Sequence, residues 1–271
     1  MLFASDLDQT LIYSRRSFRH EAAEEDIRLI EVLDGKEISF MTHKAISLLK
    51  QVSEKALFVP VTTRTIEQFK RISIFQSELA AEYAVTSNGG NILINGTPDS
   101  GWNARIAEQL KDGMPREEML EKFQEIVHEE WVLKQRTADD LFSYCIIDRE
   151  KIPAELESFT QWLSEAGWTH SMQGRKLYFV PKPVSKWAAI EYIKNLVGED
   201  TVSAAGDSLL DLCLLENADY AFAPRHGELQ EKGQDSQGKI TRTEWEGILA
   251  SEEILAGVLE KTDHHLNAVQ R

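Results

Sequence analysis

The sequence predicts an α/β fold: a Rossmann-like parallel sheet with crossover helices, interrupted by an inserted α+β unit. Three observations point there. Short apolar runs that end in polar turns ("LFAS", "ALFVPVTTR", "YAVTSNGG", "TVSAAGDS") alternate with amphipathic stretches, the order of βαβ units. The runs are continuous instead of alternating, as in strands buried on both faces. Between residues 88 and 183 the texture changes to charged helical stretches and alternating strands, and beyond Pro181 and Pro183 the first pattern resumes. The expected division is a core of residues 1–87 and 184–271 with an insert of 88–183.

In chain order, "LFAS" is a buried strand. "IRLIEVLDGKEISF" is a hairpin turning at Asp34-Gly35. In "THKAISLLKQVSE", Thr42 can cap a helix that carries Ile46, Leu49 and Val52 on one face. "ALFVPVTTR" is the second strand, "TIEQFKRISIF" begins a helix, and "YAVTSNGG" is the third strand. In the insert, "NILINGTP" carries an Asn95-Gly96 turn, followed by one long charged helical region from about Arg105 to His128. After it come apolar "LFSYCIID", helical "PAELESFTQWLSEAG" and alternating "RKLYFVP". "SKWAAIEYIKNLVG" opens on Ser185 as cap and closes on Gly198. "TVSAAGDS" is a strand, "LLDLCLLENA" a helix, "YAFAP" a short strand, and a closing helix is expected over about Glu244 to Leu259.

The 271 residues are 42% hydrophobic and 28% charged, the balance of a globular chain, and the formal charge is −15. That field repels nucleic acid and anionic lipid, so neither is an expected partner. The two cysteines, Cys145 and Cys213, lie in apolar stretches and read as small buried hydrophobes. No apolar stretch approaches the ~20 residues of a membrane span, and the acidic start does not suit a signal peptide; a cytoplasmic protein is expected.

Chemistry in an open parallel sheet gathers beyond the carboxyl ends of its strands. Asp6 and Asp8, Thr62 and Thr63, Ser87 and Asn88, and Asp207 and Asp211 all follow such strands, and Lys186 opens a helix of the same core. Carboxylates converging on one point repel strongly in a cleft. A divalent cation relieves that repulsion, and hard oxygen ligands suit Mg²⁺. With the metal present Asp6 can stay ionised and act as a nucleophile. A pair of aspartates alone is explained by a solvated turn; beside Asp207, Lys186 and Thr62 it is not. An unpaired Lys186 in a first helical turn would be unfavourable, which points to an anionic partner.

In this order, "DLDQT", "VTTR", "SKWAAI" and "GDSLLD" resemble the four motifs of the haloacid dehalogenase superfamily of phosphohydrolases. The insert between the second and third is similar to a C2 cap, as in the Cof-type subfamily IIB branch that includes sucrose-phosphate and mannosyl-3-phosphoglycerate phosphatases. The resemblance implies that Asp6 attacks phosphorus and forms an aspartyl-phosphate. Asp8 would serve as acid and then base, and Thr62 and Lys186 would bind the phosphoryl oxygens. Mg²⁺ would be held by Asp6, the Asp8 carbonyl and Asp207, with Asp211 in support. Thr63, Arg64 and Asn88 would lie near a small phosphorylated substrate, such as a sugar phosphate, in a monomer or weak homodimer. A phosphomutase, or a phosphate-binding or signalling domain, are the alternatives.

Three positions depart from the family's wording: Gln9 and Thr63 stand where glycine is usual, and Leu210 where asparagine is frequent. None removes a carboxylate, the threonine or the lysine. Two further sets bear on substrate. Arg15 and Arg16, in "YSRRSFRH", either recruit an anion or pair with the neighbouring "EAAEED". Arg175, beside Lys176, lies either on an insert strand that faces the cleft or at a solvated strand end, the reading favoured.

Overall fold

The computed structural model describes residues 1–233 and 238–269. The first half of the core runs β1 (Leu2–Ser5), β2 (Ile27–Leu33), β3 (Lys36–Thr42), α1 (His43–Ser53), β4 (Leu57–Pro60), α2 (Ile66–Lys70) and β5 (Tyr83–Thr86). The middle of the chain follows as β6 (Asn91–Ile94), β7 (Thr97–Pro98), α3 (Ser100–Lys111), α4 (Arg116–Gln124), β8 (Val132–Ala138), β9 (Phe142–Ile147), α5 (Glu155–Glu165), β10 (Trp168–Gln173) and β11 (Lys176–Pro181); β6 and β7 extend the pairing of β5. The chain returns with α6 (Lys186–Val197), β12 (Val202–Ala205), α7 (Leu212–Asn217), β13 (Tyr220–Ala223), α8 (Glu228–Glu231), β14 (Ile240–Arg242) and α9 (Ala250–Val269).

The core sheet is parallel, in the order β14-β13-β12-β1-β4, and one bridge between Val61 and Val85 carries it on to β5. Strand β1 is buried throughout because it serves both faces: Leu2 and Ala4 join the cluster under α6 and α7, while Phe3 joins the one under α1 and α9. Such burial contributes roughly 1.5–3 kcal/mol per large side chain, which is why an unbroken apolar run marked the strand. Four strands of the insert form an antiparallel sheet, β10-β11-β9-β8, whose outer face packs on α4 and α5 through Phe123, Phe159 and Leu177.

Most expected elements are present, with the Thr42 and Ser185 caps and the left-handed Gly198 stop. The charged helical region expected over about Arg105 to His128 holds α3 and α4, which Gly113 and Pro115 separate. The closing helix begins at Ala250, not Glu244, since Gly247 sits at φ +61° against the carbonyl of Phe18. "TIEQFKRISIF" holds only the five-residue α2, followed by a short 3-10 turn over Ser73–Gln76. Strands β8, β10 and β14 were not expected; all three are edge strands.

The two connections between core and insert touch at their backbones. A Cβ on Gly89 (φ +100°) would lie 2.1 Å from the carbonyl oxygen of Ser185, the residue before Lys186. Asn88, at φ 58°, donates its Nδ2 hydrogen to the Val184 carbonyl across the same junction. Two carboxylates then clip the insert to the core. Asp139, in the β8–β9 turn, accepts from Ser87 Oγ (2.5 Å), Asn91 Nδ2 (3.1 Å) and the Ile66 amide (3.2 Å). Glu228, at the start of α8, accepts from Ser171 Oγ (2.5 Å) and the Met172 amide (2.8 Å) of β10.

Candidate active site

Strands β12, β1 and β4 are neighbours in the sheet, so Asp207, Asp6 and Thr62, which follow them, arrive side by side about 5 Å apart per strand. Opposite them α6 begins, and its first residue, Lys186, is fully buried. Its ammonium donates to Asp6 Oδ1 at 2.6 Å and to Asp211 Oδ1 at 2.5 Å. Burial disfavours the charged lysine, but the Asp211 and Asp6 carboxylates outweigh it and hold its pKa above the usual value.

Asp211 is the organiser. Its second oxygen accepts from the Asp207 amide (3.1 Å), the Ser208 amide (2.9 Å) and Ser208 Oγ (2.7 Å), which closes the turn after β12 around one carboxylate. Gly206 permits this, since a Cβ there would sit 2.3 Å from that of Asp211. Asp207 is 3% exposed, and no hydrogen bond reaches its carboxylate among the described residues. Gly227 leaves room for it, because a Cβ there would lie 2.9 Å from its Oδ2. Burial pushes Asp207 well up, helped by the charges of Asp6 and Asp211; burial likewise raises Asp6 against the pull of Lys186. Oxygens of Asp6, Asp207 and Asp211 lie within 4.8 Å of one another, a set of hard donors in which a divalent cation would offset the cost of burying three acids.

Asp8 turns the other way. Arg64 grips it with two parallel bonds, Nε to Oδ2 at 2.7 Å and Nη2 to Oδ1 at 2.8 Å. Burial would raise the Asp8 pKa; the Arg64 charge and its hydrogen bonds, with weaker help from Lys176 and Lys186, bring it below the usual value. Arg64 is itself held by Glu31, whose Oε2 accepts from Arg64 Nη1 (2.7 Å) and Ser39 Oγ (2.8 Å), while Oε1 pairs with Arg71 at 3.2 Å. Glu31 has no solvent exposure, and an irregularity in the β2–β3 register falls at this residue.

Thr62 is buried; its hydroxyl oxygen accepts from the Arg64 amide at 3.1 Å, which leaves the hydroxyl proton to donate. Thr63 is partly buried beside it. The Oδ1 atom of Asn88 is buried without a protein partner. Gln9 adopts φ 63°, the conformation that makes glycine usual there, and its carbonyl accepts from Tyr13 OH (2.8 Å) and His226 Nε2 (2.9 Å). Leu210 is buried in the core cluster. Arg15 pairs with Glu24 at 2.6 Å and Glu37 at 3.1 Å and lies over Phe40, so it is engaged with its acidic neighbours; Arg16 is exposed. Arg175 is exposed in the β10–β11 turn, while the adjacent Lys176 is the one whose charge reaches Asp8.

Glu31, His226 and Glu228 were not anticipated. Glu228 Oε2 also accepts from the Leu209 amide (3.0 Å), so the clip on β10 is joined to the loop of Asp207 and Asp211. An acid within the alternating run "IRLIEVL", where the period puts a core residue, was the one available signal for Glu31.

Among solved structures the sucrose-phosphatase of Synechocystis sp. PCC6803, determined with sucrose and phosphate, matches with a TM-score of 0.68 at 16% identity, over 95% of this chain and 97% of that one. The sugar phosphatase BT4131, of haloacid dehalogenase subclass IIB, matches at 0.55 and 14%, over 97% and 98%. The haloacid dehalogenase-like protein yhjK of Bacillus subtilis matches at 0.53 and 17%, over 96% and 90%. These likenesses show the fold, a parallel-sheet core with a cap. No curated protein matches the chain. The family model for haloacid dehalogenase-like hydrolases matches residues 3–228, and with three motifs at strand ends and one at the start of α6 the chain belongs to that family.

Proposed function

We propose that this hydrolase is a Mg²⁺-dependent phosphatase that cleaves a small phosphorylated metabolite through an aspartyl-phosphate on Asp6. The observation that carries the reading is Lys186 buried between Asp6 and Asp211, with Asp207 beside them. Residues 1–87 and 184–271 act as the catalytic core and 88–183 as the cap. The protein works in the cytoplasm as a monomer or weak homodimer. A sugar phosphate is favoured because the Synechocystis neighbour is a sucrose-phosphatase.

Asp6, Asp207 and the Asp8 carbonyl would hold Mg²⁺, with Asp211 behind them. When bound, the ion supplies positive charge against the acids and the phosphoryl oxygens. The Asp6 carboxylate adds to phosphorus as the ester P–O bond breaks, while Lys186 and the Thr62 hydroxyl hold the phosphoryl oxygens. Asp8 gives its proton to the departing alkoxide and then takes one from the water that attacks the aspartyl-phosphate, which releases inorganic phosphate and restores Asp6. Arg64 keeps Asp8 ionised before substrate binds. The phosphate ester's charge raises the Asp8 pKa again, and the ester's monoanion supplies the proton. The cap, clipped down by Asp139 and Glu228, keeps bulk water out.

The test is phosphate release from p-nitrophenyl phosphate with Mg²⁺, with EDTA, and after Mg²⁺ is restored. Activity that disappears and returns supports the reading. Release indifferent to chelation removes the metal from it, and no release from any phosphomonoester ends it.

A further inference from the structure

The sheet of the cap presents charge to the cleft that the proposed reaction leaves unused. Cross-strand partners share a face, so register fixes the rows. Arg136 lies opposite Tyr144, Tyr144 opposite Tyr178, and Tyr178 opposite Ser171. In the next row Lys134 and Lys176 both pair with Ile146. Ser171 bonds to Glu228 of the core, and Tyr178 belongs to the same hydrophobic cluster as Val184 and Ala189, so this is the face turned toward the core. The opposite face, with Cys145 and Leu177, packs on the cap helices.

Three cations therefore share the face above the cleft: Lys134, Arg136 and Lys176. Among the described residues none of the three has an acidic partner, in a chain with 45 acids to 30 bases. The Lys176 ammonium lies 5.8 Å over the ring of Tyr144, which steadies it, and its charge reaches Asp8, on the side from which the leaving group departs. Both Asp8 oxygens are bonded by Arg64, and Lys176 feels the Asp8 charge without forming an ion pair with it. When a substrate fills the cleft beside Asp8 the Lys176 ammonium loses water, and a neutral leaving group offers nothing in return.

We propose that this face is a subsite for a second negatively charged group, a carboxylate or a further phosphate, on the leaving group of the substrate, with Lys176 as its principal contact. The proposal rests on the phosphatase reading and narrows its substrate class.

Matched pairs test it: 3-phosphoglycerate against glycerol 3-phosphate, and 6-phosphogluconate against glucose 6-phosphate. Apparent affinity is read as KM or, for a compound not turned over, as its inhibition constant against p-nitrophenyl phosphate. The anionic member of each pair is expected to bind about tenfold tighter, with the ratio falling toward one in Lys176→Met and retained in Lys176→Arg. A ratio near one in the wild-type enzyme, or one that survives Lys176→Met, overturns the subsite while hydrolysis of p-nitrophenyl phosphate still supports the phosphatase. Failure to hydrolyse any monoester, p-nitrophenyl phosphate included, overturns both.

Discussion

Arg64 and Asp8 form a two-pronged ion pair, 2.7 and 2.8 Å, that reaches across from the turn after β4 to the turn after β1. The geometry needs a planar fork. Arg64→Lys keeps the charge, gives at most one of the two bonds and loses the reach to Glu31. The acid–base step should slow, with kcat down about ten- to a hundredfold and the fold retained. Steady-state kinetics beside a melting curve checks this; unchanged kcat would show that Asp8 needs no such restraint.

Asp6→Asn keeps the shape of the side chain and a carbonyl for Lys186, but it removes the carboxylate proposed to attack phosphorus. Turnover should drop on the order of a thousandfold or more. Circular dichroism should be unchanged, since Asp211 still pairs with Lys186. Wild-type rates in this variant would move the nucleophile elsewhere.

Glu228 accepts three hydrogen bonds, two from the cap and one from the loop of Asp207 and Asp211. In Glu228→Gln one terminal atom becomes a donor facing other donors, at a cost of about 1–3 kcal/mol. The closed cap is the state that suffers, so KM should rise several-fold. Limited proteolysis of the cap should also quicken. If both stay at wild-type values, the clip has no part in closure.

His226 accepts from the Gly247 amide at Nδ1 (3.0 Å) and so donates from Nε2 to the Gln9 carbonyl, a neutral tautomer under the turn that follows β1. Burial, the largest influence, pushes its pKa down to about 4. The unfolded imidazole protonates near 6.5 and the folded one not until about 4. The unfolded state therefore binds more protons in between, and stability is complete above pH 6.5 and lost as pH falls toward 4, by about 3 kcal/mol. His226→Gln should be less stable at pH 7 but should lose less on acidification. Melting curves at pH 7 and pH 5 decide; equal losses in the two proteins would clear His226 of the effect.

Much of this chain was legible because strands buried on both faces need unbroken apolar runs, and because chemistry in a parallel sheet is expected where those runs end. That logic located β1, β4, β5 and β12, with Asp6, Thr62 and Asp207 beyond three of them, and the α6 helix with its Lys186. Edge strands β8, β10 and β14 escaped it, since a strand with one free side and partial exposure carries no such run.

Residue types and local spacing determined the fold class and which acids, threonine and lysine stand at the strand ends and the helix start of the candidate site. Only the folded chain decided which ion pairs form. Glu31 under Arg64, Glu228 on β10 and Arg15 on Glu24 and Glu37 depend on a register, a bulge and a turn that bring distant segments together. The Lys134, Arg136 and Lys176 face likewise exists only through strand pairing, which local periodicity does not encode.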